Sequence, residues 1–98
     1  MGPNGARGEI VAVLAGAERK LCLTLGGLAE IEAGLGLEAL SGLAERMRTL
    51  AARDLMVVLA ALLRGGGERA LADELDRAGV DPRDAAEAVA KAFAAAAG

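Results

Sequence analysis

Residues 23–36, "LTLGGLAEIEAGLG", decide the fold, because they begin with the pattern of a strand and end with the pattern of a helix. Leu23 and Leu25 continue an alternation of apolar and polar residues that is typical of a strand. Helical spacing follows in Leu28, Ile31 and Leu35. The stretch therefore predicts a corner at which a strand passes directly into a helix.

Capping residues and glycines mark this corner. Thr24 is a good N-cap, since its hydroxyl can accept a backbone N–H of the first turn. We expect Gly26 and Gly27, which lack a side chain, to let that first turn lie close against the sheet. Gly34 and Gly36 are predicted to end the helix.

The residues before the corner predict an antiparallel hairpin over 8–25. Two alternating runs, "EIVAVL" and "ERKLCLTL", flank a break at Ala15-Gly16-Ala17, as in a hairpin with a short turn. One face of this hairpin is predicted to meet the core through Ile10, Ala12, Leu14, Leu21, Leu23 and Leu25. Val11 and Val13 fall on the opposite face, which is unusually apolar for a solvent-facing surface.

The residues after the corner predict about five short helices, over about 25–34, 37–50, 52–64, 68–78 and 82–97. The run Gly65-Gly66-Gly67 is expected to stop the third helix and form a flexible joint. Asp81 as N-cap and Pro82 at the first helical position begin the last one. A hairpin followed by helices indicates an α+β fold in which the helices pack on the hairpin. Residues 1–7 are predicted to be a flexible tail, and residues 8–98 a single domain.

Composition limits the possible functions. The 98-residue chain carries a net charge of −3, which argues against binding to nucleic acid, where a basic face is needed. Cys22 is the only cysteine, so a disulfide within the chain is impossible, and its place in an apolar strand favours a core residue. No signal peptide or membrane span is expected. A cytoplasmic location is therefore the default expectation, and the Arg- and Ala-rich, Lys-poor composition is typical of a GC-rich bacterium.

The sequence contains few groups that could carry chemistry, and we predict no catalytic, cofactor-binding or metal site. Histidine is absent, which removes the most common general base and metal ligand. Ser41 lacks the surrounding pattern of a nucleophile elbow, and the glycine-rich turns lack the phosphate-loop pattern. The acidic residues Asp73, Glu74 and Asp76 are interpreted as a solvated, ion-paired helix face. The chain is therefore predicted not to be an enzyme.

Two apolar surfaces are candidates for binding a partner. The first is the outer hairpin face with Val11 and Val13, next to whichever strand edge is left open. The second is the surplus apolar face of the third helix, with Met56 and Leu63 and an extension to Met47. Ordinary burial in the core is the alternative for both, because most apolar residues at helical spacing are simply buried.

Four stretches of the chain together resemble a known family. They are "GEIVAVLAG" (8–16), "RKLCLTLGGLAEIEAGLG" (19–36), "LSGLAERM" (40–47) and "AARDLMVVLAALLRGGG" (51–67). The sequence is similar here to a small tail protein of gene transfer agents and related siphophages, described as a tail tube protein or a tail assembly chaperone. It departs from the family pattern at Gly27, where alanine is more common, and at Ala15, where the hairpin turn usually has aspartate.

The resemblance implies a non-enzymatic role in building a phage-like tail, with tail proteins or other copies of the chain as partners. A tail assembly chaperone that binds the tape-measure protein is the first interpretation, because a tube subunit usually contains more β structure than one hairpin. A structural subunit of the tube or head–tail junction, retained in the particle, is the alternative. A third hypothesis is an unrelated regulatory or adaptor helical domain, for instance a nucleic-acid binder, and the acidic charge argues against it.

Overall fold

The computed structural model describes residues 8–38, 42–49 and 51–97, and the side chains of residues 44, 47 and 48 are outside that description. The predicted N-terminal tail, 1–7, is likewise outside it. The α+β class and the N-terminal antiparallel hairpin are confirmed. The elements are β1 (Glu9–Leu14), β2 (Ala17–Cys22), α1 (Leu25–Leu35), α2 (Leu43–Arg48), α3 (Ala52–Gly65), α4 (Arg69–Asp73) and α5 (Pro82–Ala97).

The hairpin is joined by a two-residue turn. Leu14 pairs with Ala17, and Ile10 pairs with Leu21 near the other end, with no bulge between them. Ala15 and Gly16, the two turn residues, have φ angles of 53° and 79°. Positive φ at both positions is what a type I′ turn requires, and this turn matches the natural twist of the two strands.

The strand-to-helix corner forms at Thr24, as predicted. The N–H of Gly27 donates to the Thr24 hydroxyl at 2.9 Å, so the hydroxyl caps the first turn of α1. However, β2 ends at Cys22, and Leu25 is already the first residue of α1. The expectation that Leu25 faces the core is therefore wrong: once the backbone turns helical the alternation stops, and Leu25 is 83% exposed. Cys22 is buried with a free thiol, as expected.

The glycines of α1 have two different roles. Gly36 ends the helix with φ 69°, and the N–H of Leu37 reaches back to the carbonyl of Glu32 at 2.8 Å, as in the usual glycine-terminated helix end. Gly34 does not end the helix. A Cβ at Gly34 would overlap Cγ1 of Val57 in α3, so this glycine allows α1 and α3 to pack closely.

Close approach between a helix and the sheet occurs at a different glycine pair from the one predicted. A Cβ at Gly27 would meet the Thr24 hydroxyl and the α3 carbonyl of Ala61, neither of which belongs to a strand. At Gly65 and Gly66, by contrast, a Cβ would overlap backbone atoms of β2. Gly65 and Gly66, at the C-terminal end of α3, are thus packing contacts, and Gly67 has a φ of 88° in the turn that follows.

Two of the predicted helices are shorter than expected. Residues 37 and 38, the start of the predicted 37–50 helix, are not helical, because the chain leaves α1 through the left-handed Gly36. Leu40 and Leu50, which belong to the same predicted helix, lie outside the described residues. The predicted 68–78 helix ends at Asp73, and residues 74–79 form turns up to Gly79, which has φ 72°. The last helix begins at Pro82 as predicted, and the N–H of Arg83 donates to the Asp81 carboxylate at 2.7 Å.

The core is centred on α3. This helix packs against α1, α4, α5 and β2, and α5 also covers β1. The buried side chains are almost all aliphatic and are contributed by every element around α3. They include Leu14, Leu21, Ile31, Leu35, Val58, Leu59, Leu62, Leu63, Leu71, Leu75 and Val89, with small residues such as Ala88 and Ala92 where helices approach closely.

Candidate partner-binding surfaces

In the described part of the chain, the candidate functional sites are surfaces that could contact a partner, and not clusters of charged or metal-binding side chains. Within 8–38, 42–49 and 51–97, no three Asp, Glu or Cys side chains are placed to share a metal ion. Nor is any charged or polar side chain fully buried in these ranges. None of the helices in this part of the molecule is both long and apolar enough to cross a membrane.

The outer face of the hairpin carries the first predicted surface. Val11 and Val13 lie on the same face of β1, and Val13 is 62% exposed while Val11 is half-buried. The register places them opposite Lys20 and Glu18 of β2. This face therefore combines two β-branched side chains with one charge of each sign.

The edge of β2 that faces away from β1 is covered by the end of α3 and the residues that follow it. The N–H of Lys20 donates to Oε2 of Glu68 at 3.0 Å, and Arg19 lies 3.8 Å from the same carboxylate. Gly65 and Gly66 pack on the backbone of β2 along this edge. A side chain and a helix end thus occupy the positions that another strand would need.

The edge of β1 is left without a strand. Because Lys20 gives its N–H to Glu68, its backbone groups point away from β1. Residues directly opposite in an antiparallel pair share this orientation, so the N–H and C=O of Val11 also point outward, as do those of Val13 two residues later. In the part of the chain that the structure describes, the sheet consists of β1 and β2 alone, so no strand pairs with this edge.

A shallow depression runs between β1 and α5. The C-terminal part of α5 lies beside the start of β1, where a Cβ at Gly8 would come within 3.3 Å of the backbone of Ala96. The N-terminal half of α5 lies beside the end of β1. We call this depression the β1–α5 depression. It is lined by Ala12, Val13, Asp84, Glu87, Ala88 and Lys91.

The second predicted surface, on α3, is only partly at the surface. Met56 is 40% exposed and lies between two shallow depressions on either side of α3. Leu63 is fully buried, so placing it on a partner-binding surface was wrong. Elements pack around α3 on several sides, which is why its apolar residues surround the helix. The side chain of Met47 is outside the description. Val13 and Met56 line different depressions and form no common surface.

Among the described residues, the most exposed large apolar side chain belongs to a groove that the sequence interpretation missed. Leu25 lies at the rim of this groove, which is formed where the start of α1 meets α2 and the end of α5. The groove, which we call the Leu25 groove, is lined by Leu23, Thr24, Leu25, Leu28, Leu43, Phe93, Ala96 and Ala97. The signal was present in Thr24, because a cap at that position makes Leu25 a first-turn residue that cannot belong to the strand.

An ion pair attaches α2 to the start of α3. The Arg46 guanidinium donates to both carboxylate oxygens of Asp54, at 3.1 and 3.4 Å. These hydrogen bonds, assisted by the N–H of Ala51, hold the pKa of Asp54 below its ordinary value. A second arginine, Arg64, contacts acidic residues of α1 and α4.

Comparison with known proteins gives one family. Neither the curated proteins nor the solved structures contain a match to this chain. A family model described as "Phage tail tube protein, GTA-gp10" matches residues 7–98, which include every element described above. The chain belongs to this phage tail tube protein family.

Proposed function

We propose that the chain is a non-enzymatic structural subunit of a phage-like tail, made in the bacterial cytoplasm and retained in the particle, in the tube or at the head–tail junction. Family membership over residues 7–98 supports a role in the tail. A tail is built from many copies of its subunits, and pairing of strands across a sheet edge is a common way for protein chains to join.

The observation that carries this proposal is the difference between the two edges of the hairpin. The edge of β2 is occupied by Glu68 and the end of α3, whereas no strand of the described residues pairs with the edge of β1. An edge without a paired strand favours pairing with another chain, and proteins that remain monomeric usually protect such edges. This arrangement is suited to a subunit that completes its sheet in an assembly.

Quantitative mass spectrometry of purified particles tests the proposal. Particles are separated from free protein on a density gradient, and the chain is counted relative to the other tail proteins. We expect a fixed number of copies per particle, and an abundant cytoplasmic protein serves as the control for contamination. If the chain is removed together with that control, it is not a structural subunit.

A tail assembly chaperone that binds the tape-measure protein is the second candidate, and the Leu25 groove favours it. The groove is lined largely by aliphatic side chains and has the 83% exposed Leu25 at its rim, which is how a groove for an apolar helical segment is usually built. A chaperone would use this groove during assembly and be absent from the finished particle.

Co-expression with the tape-measure protein tests this second candidate. We expect the chain to increase the recovery of soluble tape-measure protein, and Leu25→Lys to abolish the increase because a charge at the rim opposes apolar contact. Met56→Lys, on a different surface, is the matched control. Equal recovery with and without the chain would exclude this role.

A further inference from the structure

We propose that the edge of β1 binds the same edge of a second copy of this chain, so that two hairpins join in one four-stranded antiparallel sheet. The inference deepens the structural-subunit function proposed above by naming the partner and the surface. It rests on three features: the direction of the β1 backbone groups, the residues along the edge, and the charges of α5 beside it.

The backbone of β1 is ready to accept a strand. The outward N–H and C=O groups of Val11 and Val13 follow from the bond between Lys20 and Glu68 on the opposite strand. Proteins commonly protect an edge with lysine, proline or a bulge. β1 has none of these: its one-to-one register runs over all six residues, and Glu9 is its only charged residue.

A twofold axis beside Ala12 gives a favourable pairing. Two identical strands related by such an axis run antiparallel, as a self-complementary interface requires. Val11 of one copy then lies opposite Val13 of the other, and the pair occurs twice. Pairs of β-branched residues directly across two strands stabilise a sheet. The exposed side chain of Val13 would gain an apolar neighbour across the new strand pair.

The charges along α5 favour a second copy over an unrelated strand. α5 runs antiparallel to β1, and the side of α5 that faces the β1–α5 depression carries Asp84 and Glu87 in its N-terminal half and Lys91 further on. The same axis reverses the α5 of the second copy. Lys91 of each copy therefore faces the acidic half of the other, and the opposite charges meet twice.

Measuring the self-association of the purified full chain tests this proposal. Sedimentation equilibrium gives the dimer dissociation constant, and amide hydrogen exchange reports on individual backbone groups. We expect a concentration-dependent dimer in which the amides of Val11 and Val13 become protected as the dimer forms, because both N–H groups enter the new ladder. A chain that stays monomeric, or a dimer that leaves both amides unprotected, would overturn the proposal.

Two edge variants separate the proposed interface from other modes of association. Val11→Pro removes the outward N–H without removing a bond of the hairpin, since proline is tolerated at an edge. Val13→Lys places a charge on the edge at a site that is already exposed, so that one variant remains informative if the other fails to fold. Each should raise the dissociation constant at least about tenfold, whereas Met56→Lys should leave it unchanged. An unchanged constant in both folded edge variants would contradict the pairing.

Charge-reversal substitutions test whether the α5 helices of the two copies face each other. Lys91→Glu should weaken the dimer by about two- to fivefold, and adding Glu87→Lys should restore most of the loss because opposite charges face each other again. Circular dichroism checks that α5 stays helical. If the double variant is as weak as the single one, α5 does not face α5 of the second copy.

Results on particles and on the purified chain distinguish the two proposals. A chain that is stoichiometric in particles but monomeric in solution would overturn the β1 pairing and leave the structural-subunit function in place. A chain that dimerises through β1 but is missing from particles would support the β1 pairing and overturn the structural-subunit function.

Discussion

The hairpin turn places Ala15 in a backbone conformation that alanine seldom adopts. Its φ of 53° is the only positive value found at a described residue other than glycine. In this region the Cβ of an L-residue crowds the backbone, whereas asparagine and glycine tolerate it much better. Gly16 satisfies the second turn position without strain. The turn geometry is therefore imposed by the strand register and not by the preference of Ala15.

Ala15→Asn should stabilise the protein by about 0.5–1 kcal/mol, because Asn-Gly is a favoured pair in a type I′ turn. Urea denaturation of both forms measures the change. Ala17→Asn, one position beyond the turn at an exposed site without positive φ, should give no gain. A gain that is equal in both variants would show that the turn conformation of Ala15 is not its source.

Glycine at position 65 is required by packing, since the carbonyl of Cys22 occupies the space that a Cβ would need. We expect Gly65→Ala to lower the free energy of unfolding by about 2–3 kcal/mol, because a strand backbone cannot move aside cheaply. Gly26→Ala is the matched control, since the nearest group to a Cβ there is the Thr24 hydroxyl at 3.9 Å. That control should be neutral or slightly stabilising, as alanine favours a helix. A harmless Gly65→Ala would contradict the contact.

At the scale of elements, the short α2 depends on its neighbour for its position. The described part of α2 is only six residues long, and isolated helices of this length are not stable in water. The ion pair between Arg46 and Asp54 joins it to α3. Asp54 is in the first turn of α3, where a negative charge also interacts favourably with the helix dipole.

The contribution of Asp54 should depend on pH. Because its pKa is lowered in the folded protein, the stabilisation is present above the ordinary pKa of aspartate, about 3.9, and is lost as the pH falls through the lower folded value. The difference in unfolding free energy between the native chain and Asp54→Asn should therefore be clear at neutral pH and shrink as the pH falls through the lowered pKa of Asp54. Urea denaturation at a series of pH values measures it.

The Arg46→Gln background is the control for this pH dependence. With the guanidinium already removed, Asp54→Asn should have a much smaller effect at neutral pH, as expected for two residues that act as a pair. Equal effects in both backgrounds would assign the stabilisation to the helix dipole alone.

For the whole molecule, one core centred on α3 holds the hairpin and the helices together. We expect Leu62→Ala, at a fully buried position of α3, to destabilise the protein by about 2–5 kcal/mol. Leu25→Ala should change stability by less than about 0.5 kcal/mol, since this side chain is largely in solvent. Thermal unfolding of the two variants measures the contrast. Similar losses in both would mean that the exposed Leu25 contributes to the core.

Local patterns in the sequence determined most of the elements and some of their ends. The alternation in 9–22, the Thr24 and Asp81 caps and the left-handed Gly36 all act within a few residues, so the hairpin, the corner and the two long helices α3 and α5 could be predicted. Family membership could be recognised for the same reason, since the residues that carry the resemblance form short continuous stretches within 8–67. Val13 was correctly expected on the outer face because side chains alternate along a strand.

Only the tertiary structure decided which surfaces are covered, because burial depends on residues that are distant in sequence. Nothing near Lys20 in the sequence shows that Glu68 will cap its strand edge, or that Gly65 and Gly66 will lie against β2. The same holds for Leu63: its apolar neighbours predicted an exposed apolar face on α3, but the surrounding elements bury this side chain. Those long-range contacts close one edge of the hairpin and leave the other without a paired strand, which is the feature on which the proposed assembly depends.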